Sequence, residues 1–133
     1  MLKKRMLFFI IFCVFTTAYS IDSITYETSK IINTWVWEKS IGGLNNPYIA
    51  TPRTAGFKKK IVFTNQGKVI TYKNDIEIRI STYEIKKGNC VSDNIENDLI
   101  TFEGKTYIIE KLDNQNLILL SNNEEGSRTI YKK

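Results

Sequence analysis

No histidine occurs anywhere in the 133 residues. Serine–histidine and cysteine–histidine catalysis are therefore excluded, and the commonest metal ligand is missing. Cysteine is almost as scarce. Of the two cysteines, Cys13 lies in an apolar leader and Cys90 stands alone in the remainder. That leaves no cysteine-cluster zinc site within one chain and no pair for an internal disulfide. A lone cysteine is buried and inert, paired between molecules, or reactive; a half-buried residue at a strand end is the plainest reading. Both prolines, Pro47 and Pro52, fall in one segment, so no proline-rich linker divides the chain. Internal repeats and low-complexity tracts are also missing. Gly42-Gly43 lacks the rest of a phosphate-loop pattern and no helix follows it. Carboxylates pair as Asp93 with Glu96 and Glu124 with Glu125. Acid–base work needs one of a pair in an apolar cleft, and these sit in polar, turn-like stretches. The residues imply no enzyme, no metal and no cofactor.

Only one long hydrophobic run is present, and it opens the chain. Lys3, Lys4 and Arg5 precede an apolar stretch from Met6 to Phe15, and Ala18-Tyr19-Ser20 supplies small residues before a cut. This is the layout of a signal peptide over residues 1–20, with the mature chain starting at Ile21. The run is short for a bilayer span, so membrane contact is expected only through this segment. Lipoprotein anchoring at Cys13 is disfavoured by Phe12, since a small residue is wanted there. The expected destination is outside the cytoplasm, periplasmic or secreted. Three of the 19 basic residues and none of the 14 acidic ones leave with the leader, so the remainder carries a net charge of +2. That is too little for the electrostatic footprint of a nucleic-acid partner.

Residues 21–133 are enough for one domain with one core. Ile21 to Ile32 is the one helical candidate, a turn or two with Ser23 as cap. Everything after it alternates as strands do. Thr34 to Ile41 places Trp35 and Trp37 on one face. The Gly42–Gly56 segment is the longest irregular stretch. Phe57, Ile61 and Phe63 share a face, and a turn at Asn65-Gln66-Gly67 leads to Val69–Lys73. Ile76, Ile78 and Ile80 alternate with Glu77 and Arg79, the clearest half-buried pattern in the chain. Tyr83 and Ile85 continue on the other parity, which predicts a bulge at Ser81-Thr82. Leu99–Glu103, Lys105–Leu112, Leu117–Leu120 and Ser127–Lys132 complete eight strands joined by short turns. Such a meander predicts an all-β fold, an eight-stranded antiparallel up-and-down barrel with a short N-terminal helix.

Aromatic residues suit the interior of such a barrel. Trp35, Trp37, Phe57, Phe63, Tyr72, Tyr83, Tyr107 and Phe102 are read first as core, and as the lining of a cavity if one exists. In Lys58-Lys59-Lys60 the three side chains cannot share a face. Lys59 falls on the side of Phe57 and Ile61, where it either meets an anionic head group at the barrel mouth or extends its ammonium into water.

Trp35-Val36-Trp37-x-x-Ser40-x-Gly42-Gly43, then Thr51-Pro52 and Gly56, then Ile61-Val62-Phe63-Thr64 with Gly67, resemble a small bacterial lipocalin-like protein. Ser81-Thr82-Tyr83-x-Ile85 and a closing leucine-rich hairpin extend the likeness over most of the mature chain. Trp35 stands for the family's first-strand tryptophan, with Asn33 where a glycine is usual. The resemblance implies that a basic residue of the last strand, Arg128, packs over that indole. It further implies a small lipophilic ligand in the barrel. The candidate ligand contacts are Trp35, Trp37, Phe57, Lys59, Phe63, Tyr72, Tyr83 and Tyr107, with Trp35 and Arg128 as structural residues. The alternative is a filled barrel whose 42–56 loop binds a protein, for instance an envelope enzyme that it inhibits.

Overall fold

The computed structural model describes residues 29–133. The leader, its cut after Ser20 and most of the Ile21–Ile32 helix lie outside the described residues. The strands are β1 (Thr34–Ile41), β2 (Ile49–Ala50), β3 (Lys59–Phe63), β4 (Lys68–Lys73), β5 (Ile76–Asn89), β6 (Glu96–Phe102), β7 (Lys105–Leu112), β8 (Asn116–Ser121) and β9 (Arg128–Lys132); a four-residue helix, α1, spans Pro52–Ala55. Neighbours run β1-β3-β4-β5-β6-β7-β8-β9, and β9 returns to β1, so eight antiparallel strands close a barrel. The two-residue β2 is an extra strand that pairs only with the end of β1. Closure leaves each long strand with partners on both sides, which is how a meander rich in β-branched residues avoids free edges.

Alternation sets the interior. Trp35 and Trp37 on β1, Ile61 and Phe63 on β3, Val69 and Thr71 on β4, Ile100 and Phe102 on β6, Leu117 and Leu119 on β8 and Tyr131 on β9 are all buried. Intervening residues face out. One end of the barrel is sealed by Trp35, Phe63 and the incoming chain at Ile31. Cys90 follows the end of β5 and is buried, more fully than the half-burial expected of it. It sits outside the barrel, in a small second cluster with Leu99 and Ile108 beneath the β5–β6 loop, where Asn97 Nδ2 donates to its sulfur at 2.8 Å.

Three expectations need correction. Ile76, Ile78 and Ile80 are not half-buried: they are 67%, 51% and 58% exposed. The inward positions of β5 are instead taken by Ser81, Tyr83 and Ile85, the opposite parity; Tyr83 and Ile85 pack on the core. The β4–β5 irregularity also lies earlier than Ser81-Thr82. Tyr72 stands opposite Glu77 and Thr71 opposite Arg79, so the extra residue is Ile78. Finally, the Gly42–Gly56 stretch is not irregular throughout, since it holds β2 and α1. Thr51 caps α1 reciprocally: Thr54 N–H donates to Thr51 Oγ1 at 3.2 Å, and Thr51 N–H donates to Thr54 Oγ1 at 2.8 Å. Pro52 opens the helix and Gly56, at φ +80°, ends it. The Thr-Pro…Gly spacing is therefore a one-turn helix that delivers Phe57 and Lys59 to the barrel mouth.

Candidate functional site

Opposite the sealed end, the barrel holds a cavity of about 170 Å³. Its walls come from six places in the sequence: Trp37 and Ser40 on β1, Phe57 and Lys59 at the entry to β3, Phe102 and Glu103 at the β6–β7 turn, Tyr107 on β7, Leu119 on β8, and Thr129 and Tyr131 on β9. An outer vestibule of about 520 Å³ shares Lys59, Tyr107 and Thr129 with it and is rimmed by Tyr48, Lys105 and Asn122. The bulge on β1 shapes one wall. Pairing with β9 slips between Trp37 and Lys39, which brings Ser40 round so that Trp37 Nε1–H donates to Ser40 Oγ at 2.9 Å. Phe57 stacks on the Trp37 indole with centroids 5.7 Å apart. Phe102 and Tyr107 lie tilted against each other at 5.2 Å. The result is a small space with flat aromatic walls.

Its polar groups are unevenly matched. The Glu103 carboxylate accepts from Thr71 Oγ1 at 3.0 Å and from Arg79 Nη1 at 2.7 Å, which ties the β6–β7 turn to β4 and β5. Glu103 does this from a left-handed backbone at φ +53°, next to Gly104 at +74°, a pair of conformations that suits the twist of a two-residue hairpin. Lys59 makes no ion pair among the described residues. Burial holds its ammonium below the ordinary lysine range; Glu103 opposes that shift, while Arg79 and Lys105 add to it. Burial also pushes the Tyr107 phenol up, with a further contribution from Glu103. Tyr131, only 3% exposed, is raised strongly by burial and then by Tyr107 and Glu103. Such phenols remain protonated donors through the neutral range. Among the described residues no cluster of three histidine, cysteine, aspartate or glutamate side chains is placed to hold a metal.

The sequence-derived candidates divide into three groups. Trp37, Phe57, Lys59 and Tyr107 meet at the cavity. Trp35 and Phe63 do not reach it: both are sealed in the core. Tyr83 packs edge-on against Phe63 at 5.0 Å and donates its hydroxyl to the Thr64 carbonyl at 2.9 Å; it borders a side notch between β5 and the β6–β7 turn. Tyr72 points away from the interior, on the parity opposite to buried Val69 and Thr71, with Lys60 Nζ 4.9 Å from its ring centre.

Arg128 does not cover Trp35. It stands opposite Ile41, six positions along β1, and its Nε and Nη2 both donate to Glu110 Oε2, at 3.0 and 2.9 Å. The even-numbered parity of β9 faces outward, so a carboxylate on the outer face of β7, two strands away, takes the guanidinium. Tyr131, Glu103 and Thr129 were missed by sequence reasoning. The signal for Tyr131 was its alternation with Thr129 on the last strand, which closes directly on Trp37.

Compared with models of known protein families, with curated proteins and with solved structures, the chain matches none.

Proposed function

We propose that this is an exported, lipocalin-like, non-enzymatic barrel that binds a small molecule in the cavity beside Trp37. The observation that carries the reading is the cavity itself. A closed barrel fills its far end with Trp35 and Phe63 yet leaves about 170 Å³ at the other, walled by aromatic rings and reached through a vestibule. Concave space in which aromatic walls and polar groups converge is where small ligands bind, and this cavity mixes the two. Binding and not turnover is the activity proposed, since the chain has no histidine and the cavity carboxylate, Glu103, is engaged by Thr71 and Arg79. Export rests on the leader, read from sequence. The test is a titration of tryptophan emission with small amphiphiles of varied size: a saturable change in the wild type, lost in Trp37→Phe, supports binding at this site. No change with any of them would leave the second reading.

That second reading is an interaction module acting through the 42–56 loop. It is favoured by Leu44, which is 89% exposed at a loop tip whose backbone is nonetheless fixed: Gly42 N–H donates to the Tyr48 carbonyl at 2.8 Å and Leu44 N–H to the Glu125 carbonyl at 3.2 Å.

A further inference from the structure

Several side-chain donors, Tyr131 and Lys59 among them, line the cavity with no hydrogen-bond or ion-pair partner among the described residues. Tyr131 is 3% exposed, lines the cavity, and makes no hydrogen bond through its hydroxyl among the described residues. Trp37 Nε1 has Ser40, while Tyr107 and Thr129, which line the same space, make no side-chain hydrogen bond among the described residues either. Among the described residues only Ser81 Oγ is a fully buried side-chain polar atom without a partner, so the unpartnered Tyr131 hydroxyl reaches the open space of the cavity, where a ligand acceptor can meet it. Lys59 lines the same space with no ion-pair partner among the described residues. The one carboxylate there, Glu103, is already held by Arg79 and Thr71. Glu103 is the strongest single charge acting on Lys59, and Arg79 and Lys105 oppose it; with Glu103 engaged by Arg79 and Thr71, the ammonium of Lys59 is the cavity group left to attract an anion. Ser40 accepts from Trp37; the remaining polar wall is donor-rich.

Volume then limits the ligand. An apolar cavity of about 150 Å³ holds one benzene ring, and this one is about 170 Å³. A ring with one small substituent matches the inner cavity; a long acyl chain has to run on into the vestibule. The walls are flat, with Phe57 on Trp37 and Phe102 against Tyr107, which suits a planar ring. Lys59 stands at the junction of cavity and vestibule, since it lines both.

We propose that the cavity takes a single-ring aromatic carboxylate, its ring between the aromatic walls and its carboxylate accepting from the Lys59 ammonium and the Tyr131 hydroxyl. This rests on the cavity-binding reading above and narrows it from lipophilic molecules in general to one chemical class.

The test uses four probes on the purified protein, followed by calorimetry and tryptophan emission: benzoate, benzyl alcohol, benzylamine and decanoate. Benzoate is expected to bind saturably and at least about tenfold more tightly than the other three, as a hydrogen bond to a charged group implies. Lys59→Met should remove that advantage, weakening benzoate far more than benzyl alcohol. Tyr131→Phe, which deletes only the hydroxyl, should weaken benzoate severalfold with the ring packing kept. Should Lys59→Met fail to fold by circular dichroism, the Tyr131→Phe result and the four-probe ranking still decide. Benzyl alcohol or benzylamine binding as well as benzoate would overturn the anion preference, and decanoate binding best would overturn the single ring; either leaves the cavity-binding reading standing. No response to any of the four would overturn both.

Discussion

The indole Nε1–H of Trp35 donates to the carbonyl of Ile31, 2.8 Å away, and neither residue has any exposed surface. The first strand thus closes its own barrel end, using the chain that leads into it. Trp35→Ala removes the largest buried side chain of that plug and should cost about 3–5 kcal/mol, the range for tryptophan in a core. Trp35→Phe keeps most of the ring but strands the Ile31 carbonyl, and should cost roughly 1–3 kcal/mol. Urea titration of the two variants checks both values. A loss below about half a kcal/mol for the alanine variant, the scale of surface changes, would show that the indole does not plug the barrel.

Glu103 fastens the β6–β7 turn to β4 and β5, and its two partners contribute unequally. Arg79 is more than half exposed, so its share is under about 1 kcal/mol. Thr71 is buried, and a hydroxyl there without an acceptor costs roughly 1–3 kcal/mol. Glu103→Gln keeps an acceptor oxygen for Thr71 and should lose less stability than Glu103→Ala. Equal losses in thermal melts would mean that the charge, not the Thr71 hydrogen bond, is what matters.

Alkaline pH should unfold this protein in a way that Tyr131 reports. Its folded-state pKa is raised by burial above the ordinary value near 10. Between the two values the unfolded chain gives up a proton that the native state retains, so stability is fully present below about pH 10 and falls as pH rises beyond it. Tyr107 and Tyr83 shift the same way through burial. Lys59 has the opposite sign: its pKa is lowered, so its contribution grows with pH up to the unfolded lysine value. Phenolate absorbance should therefore appear late in the native protein and jump at unfolding, and Tyr131→Phe should flatten the alkaline loss of stability. Simultaneous titration of every tyrosine with no change in stability would contradict this.

Gly42 and Gly43 are required by what lies against them. A Cβ on Gly43 would fall 1.8 Å from the Glu125 carbonyl oxygen, and one on Gly42 would meet the Asn46 carbonyl oxygen at 2.1 Å and the Tyr48 ring. Backbone cannot yield as a flexible side chain does, so Gly43→Ala must push the 42–48 and 123–126 loops apart. A cost of about 1–3 kcal/mol is expected, with chemical-shift changes confined to those loops and the vestibule. A neutral substitution would mean that the loops are not packed this way in solution.

Much of the barrel was legible because period-two alternation and turn residues are local signals. Trp37, Phe57, Lys59 and Tyr107 reached the cavity as their parity implied. Arg128 was misplaced because register, not strand identity, decides which residues meet: β9 runs antiparallel to β1, so its first residue lies at the far end from Trp35. Tyr131 and Glu103 were hidden for a related reason, since their roles arise only when the last strand and a hairpin turn are brought to the same mouth. In β5, sequence alone could not tell which parity faces inward. Isoleucines on one face and Glu77, Arg79 and Ser81 on the other imply the wrong side, and the barrel is stabilised by Tyr83 and Ile85 farther along the same strand.

That inversion gives a direct test of the fold. Ile80 is more than half exposed opposite half-buried Ile70, whereas Val69 is fully buried one position along β4. Ile80→Thr keeps the β-branch that a strand favours and changes only outward surface, so it should alter stability by no more than about half a kcal/mol. Val69→Thr is nearly the same size change but buries a hydroxyl among apolar side chains, and should cost roughly 1–3 kcal/mol. Had the isoleucine face been the inner one, the order would reverse. Urea titration of the two threonine variants decides between these orders, and light scattering should show the Ile80→Thr protein associating less than the wild type, since the substitution reduces the exposed apolar patch.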